Sequence, residues 1–363
     1  MKAMVLLAAA LAAGFAQAEV SIEWDRPVEV ARGYYARVHR LQDGRYMCVY
    51  SHKRNACAKF SDDGLRTWSE ERIVARGFDV TNAAGRVTVA LDNAEFVQLK
   101  SGRIVYGVNL RPAGQLYEVS PSAIGVTVSD DAGATWSPLK VVYRAPVLPD
   151  GVRRGCWEPF FLELPDGTVQ LYFADESPYV DGRRKYQEIT VMDSRDGLDW
   201  TNRRAASYAP KCRDGMPVAI VEGDQILLAI ESNPPKHHLF PQIVRTSVAD
   251  PWKTPVGDPS SDRCRPLADA ADFRTMKAGA PYLAASAAVR SGCGLPGEGR
   301  RRHQGVGCQA WLHARGGHAG LEHRQQRVDE DLEDHLPGQA PQPAHARRPR
   351  RHRERDHGRS GRG

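Results

Sequence analysis

The sequence lacks helical periodicity outside its first residues, and its main body lacks a basic stripe. The formal net charge of +6 is misleading, because residues 284–363 alone hold 15 Arg, no Lys and 9 acidic residues. The first 283 residues therefore carry 35 basic and 35 acidic side chains. The missing periodicity argues against a helical fold, and a neutral body without clustered Lys and Arg argues against a nucleic-acid partner.

Apolar runs long enough to span a bilayer are also absent. The run from Met4 to Phe15 is too short for that purpose, follows the basic Lys2, and precedes the small residues of Ala16-Gln17-Ala18. This pattern is typical of a secretory signal peptide over residues 1–18, cleaved after Ala18; the alternative is a buried N-terminal helix. We expect a periplasmic or secreted mature protein that does not associate with a membrane.

Cysteine spacings typical of zinc sites are missing too. The chain has seven cysteines, an odd number. Cys48 and Cys57 flank a polar stretch and could face each other across a hairpin, and Cys156 and Cys212 form a second candidate pair. Free buried thiols are the alternative for each pair. No metal site is predicted.

What the sequence does contain is repetition. A phrase in which an apolar strand ends at a Gly turn and a second apolar strand follows occurs four times, at residues 41–47, 99–106, 164–172 and 221–228. Asp-Gly and Ser-Gly pairs supply the positive φ that a tight hairpin requires.

A second phrase follows each of the first three copies. It begins at Ser61, Ser129 and Ser194, and an eroded fourth copy spans residues 247–252. The middle copy reads S-x-D-x-G-x-T-W and resembles the Asp-box of sialidases and related β-propellers. In such a turn the Asp accepts backbone N–H groups, the Gly is left-handed and the Trp packs between sheets, so these aspartates are structural. A period of about sixty residues predicts propeller blades, whereas a β-sandwich explains the strands but not the period.

The last eighty residues break the pattern. Residues 284–363 contain no Phe, Tyr, Ile, Met, Thr, Asn or Lys, but hold 8 of the 12 His. This composition does not predict a strand-rich core. A basic disordered tail and a His-rich metal-binding tract are two interpretations. We favour a third, a reading-frame error in GC-rich coding DNA, which leaves residues 19–283 as about four blades and the start of a fifth.

Two glutamates are candidate catalytic residues. Glu158 lies in an aromatic stretch beside Trp157, and Glu231 ends an apolar strand. An acid desolvated by aromatic neighbours has a raised pKa and suits a proton donor, while a nearby Arg keeps a second carboxylate ionised. Glycoside hydrolysis uses such a pair. The structural alternative is that Glu158 forms a buried ion pair and Glu231 is solvated at a strand end.

Residues 34–283 resemble the six-bladed sialidase superfamily, and more closely its exo-1,5-α-L-arabinanases. The matching segments are 157–159, 171–176, 213–217 and 230–231. The resemblance implies a retaining mechanism with Glu158 as nucleophile and Glu231 as acid/base, their carboxyl groups about 5 to 5.5 Å apart. It also makes Trp157, Arg213 and Asp214 candidate substrate-binding residues.

A sialidase needs an arginine triad for the substrate carboxylate and a Tyr nucleophile. Arg37 is a candidate first member of the triad, with Arg111, Arg213 and Arg245 as further candidates. For Arg37, contact with a neutral sugar, contact with a carboxylate and a structural salt bridge all remain open. Asn109 and Arg111 are weaker candidates for substrate binding.

Together these features predict an all-β, six-bladed, sialidase-like propeller that is incomplete as written. The expected function is an exported, exo-acting retaining glycosidase that cleaves α-linked sugars at the non-reducing end, arabinanase-like. An exo-α-sialidase and a non-catalytic carbohydrate-binding propeller are the alternatives. We expect an oligo- or polysaccharide substrate, no cofactor and a monomer. A ring without one to two blades leaves sheet edges exposed, so the chain as written should be poorly soluble or inactive.

Overall fold

The computed structural model describes residues 27–82, 85–113, 122–146, 154–178, 186–233, 239–266, 278–285 and 306–312. The chain divides into two compact units, Met1–His313 and Ala314–Gly363, and every described residue lies in the first. The described residues form strands and turns without an α-helix. Accordingly, no helix in this part of the chain could cross a membrane. The predicted signal peptide lies outside the described residues.

Four antiparallel sheets follow one another along the chain, each with its strands in sequence order. The first contains β1 (Tyr34–Arg40), β2 (Tyr46–His52), β3 (Asn55–Ser61) and β4 (Arg72–Ala75). The second contains β5 (Phe78–Asn82), β6 (Gly85–Gln98), β7 (Ile104–Pro112), β8 (Ala123–Ser129) and β9 (Lys140–Arg144). The third contains β10 (Cys156–Glu163), β11 (Val169–Asp175), β12 (Glu188–Ser194) and β13 (Thr201–Ser207). The fourth contains β14 (Asp214–Glu222), β15 (Gln225–Ser232), β16 (Phe240–Ser247) and β17 (Arg263–Cys264).

A fifth sheet pairs β18 (Ala278–Ala285) with β19 (Val306–Leu312). β19 lies inside the segment 284–363, whose composition did not predict a strand-rich core, and it is the one strand described after residue 285. This stretch contains Val306, Trp311 and Leu312, residue types that favour a strand in an otherwise Arg- and Gly-rich segment. The frame-shift interpretation of the tail stays a prediction.

In the second sheet β5 is an additional edge strand before β6, so we call β1, β6, β10, β14 and β18 the blade-opening strands. They pack beside one another in that order. The hydrophobic core lies between neighbouring sheets. One core cluster spans the third and fourth sheets and includes the fully buried Trp252, whose Nε1 donates to Tyr172 Oη at 2.9 Å. Radially packed four-stranded sheets of this kind are a propeller arrangement, as the sequence period predicted.

The turns after the third strands have the predicted geometry. Asp63 accepts the backbone N–H of Thr67 at 3.0 Å, and Asp131 accepts that of Thr135 at 2.8 Å. In the third turn Asp196 accepts two backbone N–H groups in the same way. The hydroxyls of Thr67 and Thr135, and next these backbone N–H groups, lower the pKa of Asp63 and of Asp131 to about 2. The three aspartates therefore stabilise turns, far from any candidate chemistry.

Each blade-opening strand contains the same irregularity. The strand register shifts by a bulge within β1, β6, β10, β14 and β18. Each bulge has a non-glycine residue with positive φ, a conformation that costs free energy and is often found at functional sites. These five residues, called bulge residues below, are Tyr35, Asn93, Glu158, Met216 and Ala280.

None of the five cysteines in the described residues forms a disulfide. Cys48 lies opposite Lys59 and Cys57 opposite Tyr50, so the two thiols are diagonal neighbours in the sheet. Cys156 and Cys212 are also free and buried. In the structure, both candidate pairs are therefore free buried thiols.

Candidate active site

The two glutamates lie on either side of Gly215. Glu158 is the bulge residue of β10, and Glu231, near the end of β15, pairs with Gly215 across the fourth sheet. A Cβ placed on Gly215 would lie 3.5 Å from Glu158 Oε2 and 3.5 Å from Glu231 Oε1. The two oxygens are therefore within twice that distance, 7.0 Å, of each other. Carboxyl groups this close can act on one sugar ring.

Backbone amides hold both carboxyl groups. Met216 N donates to Glu158 Oε2 at 2.7 Å, and Ala280 N donates to Glu231 Oε2 at 2.9 Å. Each donor is the bulge residue of the following blade. A hydrogen bond from a backbone N–H stabilises the ionised form of a carboxyl group and fixes its orientation.

The environment of Glu158 favours its protonated form. Burial and the negative charge of Glu231 raise the pKa of Glu158 to about 7, against the lowering effects of the Met216 amide, Arg213 and Arg37. Below about pH 7 Glu158 therefore holds a proton that the negative charge of Glu231 helps to retain. A pair with one proton and one negative charge is what general acid and nucleophile require.

Arg37 lies beside this pair on β1 and is held from three sides. Its guanidinium lies 4.0 Å from the ring centroid of Tyr35 and 5.7 Å from that of Tyr282. Its Nε lies 3.2 Å from Oε2 of Glu95, which is 2% exposed and also contacts His39. The sequence left three roles open for Arg37, and the structure contains one of them, the salt bridge with Glu95.

Arg213 is half-exposed, and its positive charge acts on Glu158. Its Nε donates to Gln187 Oε1 at 2.9 Å, and its Nη2 lies 3.8 Å from Glu176 Oε1. Glu176 is 2% exposed and accepts the Gly155 amide at 2.8 Å. Arg213 thus lies close enough to Glu158 to act on its charge, and its contact with a substrate stays a prediction.

Three other predicted substrate-binding residues pack into the interior, two of them completely. Asp214 is 0% exposed, and both its oxygens accept hydrogen bonds from Arg263. Asn109 is also 0% exposed, and its Nδ2 donates to the Cys156 carbonyl. Trp157 packs against the core, and its ring lies directly over Gly155 with Nε1 buried. Asp214 and Asn109 are fully buried and paired within the protein, so we correct both to structural roles. The substrate contact predicted for the partly buried Trp157 stays a prediction.

The two other candidate arginines of the predicted triad each form an ion pair within the protein. Arg111 on β7 lies 3.6 Å from Asp92, which is 4% exposed. Arg245 on β16 forms a partly exposed ion pair with Asp262 at 2.9 Å. In sequence they were candidates only because they are arginines on strands. The structure gives each a carboxylate partner within the protein.

Several residues of the site were missed from the sequence. They are Tyr35, Glu95, Met216, Gly279, Ala280 and Tyr282. A signal was present: the bulge residues 158, 216 and 280 all precede Pro, and residues 35 and 93 precede Ala. Aligning the blades on this dipeptide would have brought the missed positions together.

Comparisons with known proteins support the fold. No family model and no curated protein matches the chain. An α-L-arabinanase from Penicillium chrysogenum, solved with arabinobiose, aligns with a TM-score of 0.52 at 18% identity, covering 71% of this chain and 72% of that one. This match shows a shared propeller fold and nothing finer.

Two further solved structures are similar at lower scores. An α-L-arabinofuranosidase from Fusarium graminearum, bound to an iminosugar inhibitor, has a TM-score of 0.45 and 19% identity over 59% of this chain. The chain spans 62% of the length of that enzyme. A Hadza microbial sialidase has a TM-score of 0.41 and 14% identity, covering 58% of this chain and 44% of that one.

Proposed function

We propose that the protein is a retaining glycoside hydrolase that uses Glu158 and Glu231 to release neutral sugars from the non-reducing end of α-linked, arabinan-type chains. The observation that carries the proposal is the carboxyl pair across Gly215, with its two facing oxygens within 7.0 Å. This upper limit on one pair of oxygens is compatible with the carboxyl separation of about 5 to 5.5 Å used for retention.

The chemistry needs one carboxylate to attack the anomeric carbon and one carboxylic acid to protonate the leaving oxygen. A covalent glycosyl–enzyme intermediate forms, and the second glutamate then removes a proton from the water that hydrolyses it. The proton on Glu158 and the negative charge of Glu231 supply this division of labour below about pH 7.

Two arguments assign the roles in opposite ways. The resemblance to exo-arabinanases makes Glu158 the nucleophile and Glu231 the acid/base. The raised pKa of Glu158 instead gives that residue the proton in the free protein, as suits the donor. Azide distinguishes the two: it yields a glycosyl azide of retained configuration when the acid/base is missing and of inverted configuration when the nucleophile is missing. The variants for this test are Glu158→Ala and Glu231→Ala.

A neutral sugar suits the described arginines better than a sialoside does. Arg37, Arg111 and Arg213 each lie within 3.8 Å of a carboxylate that is at most 4% exposed. A carboxylate partner offsets the positive charge that would attract an anionic substrate. This observation favours the arabinan-type substrate over the sialidase alternative.

The test is hydrolysis of 4-nitrophenyl α-L-arabinofuranoside, linear arabino-oligosaccharides and a sialoside. Glu158→Gln and Glu231→Gln should each lose at least about a hundredfold in kcat/KM, whereas Glu222→Gln, at the opposite end of β14 from Gly215, should retain the activity. The anomeric configuration of the first product, read by NMR, should be retained.

The assay is run on the chain as written and, if the coding DNA carries a shifted frame, on the frame-restored chain. Arabinoside hydrolysis that survives both substitutions contradicts the proposed pair. Sialoside cleavage without arabinoside cleavage supports the sialidase alternative. Saccharide binding without any hydrolysis by the restored chain supports the binding module.

A further inference from the structure

The carboxyl group of Glu231 is held by a residue of the following blade. Its Oε2 accepts the amide of Ala280, the bulge residue of β18, at 2.9 Å. Glu158 accepts the amide of Met216, the bulge residue of β14, at 2.7 Å. The same backbone device therefore serves both carboxyl groups, each time from the following blade.

The residue before Ala280 must be small for this contact to form. A Cβ placed on Gly279 would lie 2.5 Å from Glu231 Oε2, closer than two such atoms can approach. The φ of Gly279 lies outside the positive region, so its backbone conformation does not itself require glycine. A side chain at this position would therefore displace the Glu231 carboxyl group from its place beside the Ala280 amide.

We propose that Gly279 and the backbone amide of Ala280 position Glu231, so that the fifth sheet is part of the active site. Glycine leaves the space for the carboxyl group, and the amide fixes its Oε2. Pro281, which follows Ala280, has a fixed φ and no backbone N–H. The inference rests on the proposed function for what Glu231 does in catalysis, but the contact that positions the residue is independent of it.

The direction of a perturbation follows from the geometry. A methyl group on Gly279 occupies the Oε2 side of Glu231, whereas Oε1 faces Gly215 and Glu158. Displacement therefore moves the carboxyl group toward Glu158. The charged and titratable groups that act on Glu158 are Glu231, Arg213, Arg37 and Tyr35. A closer negative charge raises the pKa of Glu158 further.

The test compares Gly279→Ala with Gly257→Ala in the full chain. Gly257 has only one atom, at 3.7 Å, near the site of an added Cβ, so it is a matched control. Titration of ¹³C-labelled glutamate side chains should show the pKa of Glu158 raised by at least half a unit in Gly279→Ala and unchanged in Gly257→Ala. With an arabinoside substrate, kcat should fall at least tenfold with KM within twofold.

A double variant shows whether the effect passes through Glu231. In Gly279→Ala/Glu231→Gln the Glu158 titration should match that of Glu231→Gln alone. If Gly279→Ala does not fold, the shorter side chain in Gly279→Ala/Glu231→Ala should restore folding, since the clashing oxygen is gone. An unchanged Glu158 titration in folded Gly279→Ala, or a double variant that stays unfolded, overturns the inference. A wild-type chain inactive on all substrates, with the titration shift present, counts against the proposed function alone.

Discussion

The pKa of Glu158 is set by the surroundings of its side chain. Its pKa of about 7 results first from burial and second from the negative charge of Glu231. Replacing Glu231 by Gln removes the second cause and keeps the first. We expect the pKa of Glu158 to fall but to stay above 4.5, as read by ¹³C titration of the glutamate side chains. Glu222→Gln should leave the titration at its wild-type position, and no fall in Glu231→Gln would mean that the two carboxyl groups do not interact.

The same shift predicts a pH dependence of stability. Between pH 4.5 and about 7 the folded protein keeps the Glu158 proton that the unfolded chain has lost. The folded state therefore binds more protons in this window, and the contribution of Glu158 to stability, complete below pH 4.5, is lost as the pH rises to 7. Urea unfolding at pH 4.5 and pH 7.5 should show a smaller loss in Glu158→Gln than in wild type. Equal losses in the two proteins would contradict a raised pKa.

The buried thiols make a third prediction at this scale. Burial raises the pKa of Cys48 to about 11 and that of Cys57 to about 12. Thiolates are the reactive form, so both residues should resist alkylation in the native protein at pH 8 and react after denaturation. Peptide mapping by mass spectrometry measures this directly. A Cys48–Cys57 disulfide in protein isolated from an oxidising compartment would contradict this prediction and show that the two thiols pair.

At the scale of elements, the strands were more predictable than the directions of their side chains. Alternating apolar residues and Gly turns indicated the hairpins correctly, because these signals are local. The bulges reverse which side chains point inward, and they depend on the packing of neighbouring blades. This explains why the sequence wrongly predicted Asp214 to contact a substrate. The residue is fully buried, and so is Ala219, five residues later on the same strand.

Asp214, on β14, links β17 of the fourth sheet to β13 of the third. It accepts two hydrogen bonds from Arg263 on β17, which is 2% exposed at its side chain, and one from Ser207 on β13. Asp214→Asn leaves the buried guanidinium without its counter-charge. We expect a loss of about 3 to 5 kcal/mol in the free energy of unfolding, measured by urea denaturation.

A second ion pair in the same sheet provides the comparison for that measurement. Arg245 and Asp262 are partly exposed, and Asp262→Asn should cost less than about 1 kcal/mol. If Asp214→Asn is no more destabilising than Asp262→Asn, then Asp214 does not stabilise the fold. A change in KM without loss of stability would return Asp214 to the substrate-binding residues.

For the whole molecule, the propeller arrangement could be predicted because repetition survives strong sequence divergence. The hairpin phrase is set by turn chemistry and the spacing by blade size, and neither needs particular core residues. The residues that complete the site could not be found in this way. Tyr35, Glu95 and Ala280 come from three different blades, and their proximity is a property of the ring. The number of blades, predicted as six, exceeds the four complete sheets of the described residues.

The tail decides whether this chain can form a working enzyme. The abrupt change of composition after residue 283 predicts that the coding DNA across codons 275 to 300 carries a frame shift. Resequencing that region and translating all three frames should restore hairpin phrases and a Trp-Asn segment in a shifted frame. The fifth sheet would then gain its own strands in place of β19, and the Ala280 amide that holds Glu231 would lie in a complete blade.

If the frame stands as written, strand edges remain exposed and the carboxyl pair lacks a closed ring around it. Carbohydrate binding would then become the function to test, and full glycosidase activity from that chain would refute the requirement for the missing blades.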